Sequence, residues 1–214
     1  MQSGISTLLL SILFALEFIV LICVLKNGWS KKTLCAIITS IIVITLISFF
    51  GWFFAYTNRI ESGNVFTEIG SNNPYYVQYM FNETIYGQFF YVSLLILICS
   101  VVVAVIASRL ADLIERYSGS KDMVNNIINE SKIVVGEYPL IITVIFAVMA
   151  LPEFMANVFD QMSIMDSLNS ETIVAYLSMA FFTIIACMIV PPVIAFVGKV
   201  LMGNVEIKQI NGKN

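Results

Sequence analysis

Apolar residues gather in five long uncharged runs, near residues 5–25, 33–56, 89–108, 138–158 and 172–198. Each is close to the roughly 20 residues a helix needs to cross a hydrocarbon core of about 30 Å. A backbone in lipid must satisfy its own polar groups, so the runs predict membrane-spanning α-helices. The pattern is that of an all-α, polytopic membrane protein, with residues 1–214 forming a single transmembrane helical domain. Polar residues collect between the runs, in one loop at 57–88 and another at 109–137. Composition agrees: the chain is 59% hydrophobic and 12% charged, against about 25% charged in soluble domains.

The positions of the charges set an orientation. The leader "MQSGIST" has no positive charge, whereas Lys26, Lys31 and Lys32 follow the first run, which argues against a cleavable signal peptide. Those three lysines, then Arg109, Arg116, Lys121 and Lys132, then Lys199, Lys208 and Lys213 share one face, and only Arg59 lies on the other. The positive-inside rule then puts the N-terminus outside and the C-terminus in the cytoplasm. The outer face holds Glu61, Glu68, Glu83, Asp160, Asp166 and Glu171, which would enrich cations at any vestibule there. The outer loop is rich in aromatics (Tyr75, Tyr76, Tyr79, Phe81, Tyr86), as expected of a segment at the interface or packed on a neighbour. Asn82-Glu83-Thr84 makes Asn82 a glycosylation candidate.

The 109–137 segment begins as a continuation of the third helix, with Arg109, Asp112 and Arg116 spaced to pair along it and Leu110, Leu113 and Ile114 on the other side. The stretch "MVNNIINESKIVVGE" sets Met123, Ile127, Ile128 and Ile133 among polar residues. It reads as a short membrane-surface helix or as a docking surface for a cytoplasmic partner. The third and fifth runs also echo each other. "ETI" at 83–85 and 171–173, Cys99 and Cys187, and "VIA" at 105–107 and 193–195 recur in step, as in parallel copies.

Polar residues inside the runs carry the chemistry. Glu17 is the one charged residue within 8–25, and its same-face neighbours, Leu10, Leu13, Phe14, Val20, Leu21 and Val24, donate no hydrogen bond. Lys26 starts about 13 Å away along the axis, too far for a direct pair. An acid at that depth costs about 2.5–3.5 kcal/mol on insertion scales, so Glu17 is either protonated or faces a donor on another helix. In the fourth run Glu153, Asn157 and Asp160 follow at i, i+4 and i+7, on one helical face. Glu153 lies about 21 Å along the axis from Pro139, and Pro152 frees a carbonyl in the preceding turn. Such oxygens suit H⁺, Na⁺ or other hard cations, on a path that Glu17 would assist. The bland alternative is that the span ends near Leu151 and the stripe is its interfacial exit. Ser100, Ala104 and Ser108 form a small-residue stripe that lets helices approach closely. Pro191 and Pro192 should bend the fifth helix and require packed neighbours.

"ALPEF" around Glu153 resembles the Leu-Pro-Glu of the ion-binding helix in V-type ATPase rotor proteolipids, and "PPVIAFVG" resembles their glycine-containing helix. The likeness is confined to these two stretches, and the family's glycine-dense helices are missing. It implies a way for Glu153 to hold a cation.

The chain has no histidine, which removes haem ligation by His, His metal sites and His acid–base chemistry. Cys23, Cys35, Cys99 and Cys187 lie in or beside the spans and read as small core residues. No P-loop, dinucleotide turn, CxxC, HExxH or GxSxG occurs, and no basic aromatic patch suggests nucleic acid. No metal site or cofactor is expected. The leading expectation is a non-catalytic subunit of a larger membrane complex, surrounded by lipid and by other membrane subunits. The alternative is a cation-translocating channel, transporter or rotor-type subunit using Glu17, Glu153, Asn157 and Asp160.

Overall fold

A computed structural model of the chain describes residues 2–57, 84–118, 120, 122–159, 163–168 and 171–202. In order the helices are α1 (Gln2–Asn27), α2 (Lys31–Thr57), α3 (Thr84–Tyr117), α4 (Met123–Gly136), α5 (Tyr138–Phe159), the short α6 (Ile164–Leu168) and α7 (Glu171–Met202). No strand occurs among the described residues. Five segments are long and apolar enough to cross a membrane, and the fourth of them joins α4 and α5 as Met123–Phe159. The all-α, five-span expectation is therefore met.

α3 is the central helix. α1 and α2 pack on it from one side and α7 from another; α7 also packs on α2, α4 and α5. Leu95, Val103, Ala104, Ile106, Ala107, Leu110, Ala111 and Ile114 of α3 are buried, as are Ser100 and Ser108. The small side chains let backbones come close. A Cβ built on Gly198 of α7 would sit 2.9 Å from Ile114 Cγ2, and one on Gly51 of α2 would overlap Leu95. α3 and α7 run in the same direction. Tyr91 and Ser178 hydroxyls are 2.8 Å apart, Cys99 Sγ and Thr183 Oγ1 3.5 Å apart, and Gly198 meets Ile114 further along. The two sequences that echo each other thus lie side by side at matching depth.

The α1–α2 turn is built from caps. Gly28 takes φ +63° and donates its N–H to Val24 O at 2.8 Å, closing α1 with a left-handed residue. Ser30 Oγ accepts the Thr33 N–H at 3.3 Å, the N-cap bond of α2, and Thr33 Oγ1 donates to Gly28 O at 2.6 Å.

Along the helices many hydroxyls bond back to the preceding turn of their own helix. Ser11 donates to Thr7 O, Ser40 to Ala36 O, Thr45 to Ile41 O, Ser48 to Ile44 O, Thr143 to Pro139 O and Thr183 to Met179 O. α7 is helical without interruption through Pro191 and Pro192, and α5 through Pro152. Gly198→Val should destabilise the protein by about 1–3 kcal/mol through overpacking, read as a lowered Tm in detergent. Ile114→Ala should recover part of that loss, and an unchanged Tm in Gly198→Val would refute the close crossing.

Candidate functional site: two intramembrane carboxyl groups and a charged end

α1 turns one face to the bundle. Ser11, Ala15, Ile19 and Cys23, four residues apart, are its buried positions. Glu17 falls two residues from both Ala15 and Ile19, roughly 200° round a helix of 3.6 residues per turn. It is exposed and points away from the bundle. Leu10, Leu13, Phe14, Val20 and Leu21 around it are exposed too. No described residue of the chain donates a hydrogen bond to Glu17. The sequence allowed either a protonated acid or a donor on another helix, and no such donor lies on a described helix of this chain.

Glu153 faces the other way. Ile142 and Phe146 are buried on the side of α5 that packs on α7. Half-buried Ala150 and Glu153, then buried Asn157, continue that stripe. Glu153 lies near Tyr176 of α7. Asn157 is only 9% exposed, and its Nδ2 has no hydrogen-bond partner among the described residues. The helix runs on to Phe159. α1 packs on α3 and α5 on α7, so the structure does not bring Glu17 beside Glu153. Asp160, the third member of the stripe, lies outside the described residues. So do Asn82, Tyr75, Tyr76, Tyr79 and Phe81 in the outer loop.

Away from Glu153 the polar groups serve packing. Ser100 and Ser108, fully buried, donate to carbonyls three residues back in α3. Thr39 Oγ1 and Ser93 Oγ are buried and unpaired among the described residues. Pro191 is buried and Pro192 exposed. With Met188 they wall a 410 Å³ crevice whose other side is Ile128, Ser131, Val135 and Pro139. No cluster of metal-ligating side chains occurs among the described residues.

At the lysine-rich end the charges pair across helices, where the sequence suggested pairs along α3. Lys32 Nζ of α2 is 3.1 Å from Asp112 Oδ1 and 2.9 Å from Glu115 Oε2. Arg116 reaches Glu130 of α4 at 3.5 Å, and Tyr117 Oη donates to the same carboxylate. Arg109 sits 5.9 Å over the Tyr138 ring, and Asn27 Nδ2 donates to Ser108 O at 3.0 Å. The partners were missed because spacing within one helix carries no record of which helix lies alongside. α4 buries Met123, Ile127, Ser131 and Val135 and leaves Ile133 79% exposed.

Asn157→Leu should leave the Tm at or above that of the wild type. The orphaned amide N–H costs about 1–3 kcal/mol and its removal relieves that cost. A clear drop would mean that Asn157 has a partner outside the described residues. Lys32→Met should cost under about 1 kcal/mol, because the two carboxylates are well exposed, and the loss should shrink as salt is added.

Residues 1–204 match the family described as YibE/F-like protein, and the chain belongs to that family. No curated protein and no solved structure matches it.

Proposed function

We propose that this YibE/F-like protein is a non-catalytic subunit of a larger membrane assembly, which packs against and supports neighbouring membrane subunits. The observation that carries this reading is Glu17. It stands in the middle of an apolar span, on the side turned away from its own bundle, with no donor among the described residues. Ionisable side chains in a membrane nearly always face a protein interior or a wet cavity. A group on a neighbouring subunit would give Glu17 such surroundings. The lysine-rich end would lie in the cytoplasm by the positive-inside rule, and the segment 109–137 would offer the exposed Ile133 to a cytoplasmic partner.

A second reading, cation translocation, is favoured by one feature, the α5–α7 seam. Glu153 stands there near Tyr176, one turn from a buried amide whose donor is unused among the described residues. A carboxylate and an amide oxygen suit H⁺ or Na⁺, and Asp160 would extend the path outward.

The two readings separate in the mass of the gently extracted particle by native mass spectrometry. The subunit reading expects foreign membrane subunits in fixed stoichiometry, lost in Glu17→Ala; the chain alone, or only multiples of itself, would overturn it. The translocation reading expects cation flux in liposomes that Glu153→Gln abolishes while expression is kept, and flux indifferent to that change would end it.

A further inference from the structure

We infer that the outer face of α1 is the contact with a second copy of this chain, made by parallel helices within the bilayer and centred on a hydrogen-bonded pair of Glu17 carboxyl groups. It rests on the premise, shared with the subunit reading, that Glu17 meets a group outside the chain, and it names a second copy of the chain, in place of a foreign subunit, as the source of that group.

The face has the spacing of a helix–helix seam. Leu10, Leu13, Glu17, Val20 and Val24 alternate by three and four residues, the a/d repeat of two supercoiled helices. Leu10 and Leu13 are 54% and 59% exposed, while the opposite side of α1 is already taken by α3. A polar residue at one such position fixes register and partner number, and Glu17 is the only polar residue in this seam.

Symmetry and chemistry then select the occupant. Two copies inserted the same way are related by a twofold axis along the membrane normal, so each residue near the axis faces its own equivalent at the same depth. A protonated carboxyl group is both donor and acceptor. Two of them exchange O–H···O bonds, and a carboxyl with a carboxylate shares one proton, so the group is complementary to itself. The apolar core of each span is free of Lys and Arg, so no helix of the chain brings a cation to that depth. Another Glu17 does arrive there, in equal number and in register.

The test is oxidative crosslinking of the full chain in its native membrane. The native cysteines are buried, so the unsubstituted chain gives the background. Leu13→Cys should yield a dimer of the chain, whereas Leu9→Cys and Leu25→Cys, exposed but on the flanks of the seam, should not. Adding Glu17→Gln, which keeps a donor and an acceptor, should preserve the dimer. Adding Glu17→Leu, which suits lipid and removes both, should reduce it about tenfold. Equal crosslinking at seam and flank, or a dimer indifferent to Glu17→Leu, would overturn the inference. Foreign subunits without a self-crosslink would sink this inference and leave the subunit reading standing. A self-crosslink in a particle holding only this chain would do the reverse.

Discussion

Lipid tails are about as apolar as leucine, so these helices gain little by hiding leucine from lipid and must be held by close backbone approach and by contacts between hydroxyls. α3 concentrates both. Its Ser100, Ala104, Ala107, Ser108 and Ala111 have almost no exposed surface, and the glycines that face it, Gly51 and Gly198, leave no room for a methyl group without displacing Leu95 or Ile114. The Tyr91–Ser178 bond and the Cys99–Thr183 contact add directional links between α3 and α7. The positions of α1, α2 and α7 follow from how closely they approach this one helix.

The periphery contrasts with that centre. α5 buries only Ile142, Phe146 and Asn157, and α1 presents a broad exposed apolar surface. The two intramembrane carboxyl groups sit on these loosely held helices and point in opposite senses: Glu153 into the α5–α7 seam, Glu17 out of the bundle. At one end, the Lys32 and Arg116 pairs tie α2, α3 and α4 together. They fix how the helix ends are arranged more than they add stability, since exposed ion pairs contribute little.

Most of the fold was legible in the sequence because the solvent imposes it. Uncharged runs of spanning length must be helices in lipid, and five were found where five were expected. The extension of α3 to Tyr117 was also readable, from Leu110, Leu113 and Ile114 on one side of a charged stretch. The same-face residues of Glu17 could be named from periodicity, and all that line its seam were. Whether that face looked into the bundle or away from it could not, because lipid and a neighbouring helix ask for the same leucines. Asn157 shows the same limit: spacing put it on a stripe with Glu153, but its burial and its idle Nδ2 depend on how α7 lies across it.

The hydroxyls that bond back to their own helix bear on the order in which the molecule is made. Ser11, Ser40, Thr45, Ser48, Thr143 and Thr183 each satisfy their donor within a single turn. Each span can therefore leave the insertion machinery one at a time, already at peace with hydrocarbon in these groups before any neighbour arrives. Glu17 has no such local remedy among the described residues, so α1 is a span whose insertion leaves a polar group still to be satisfied. On the proposed reading, that group is satisfied only after insertion, by encounter in the plane of the membrane.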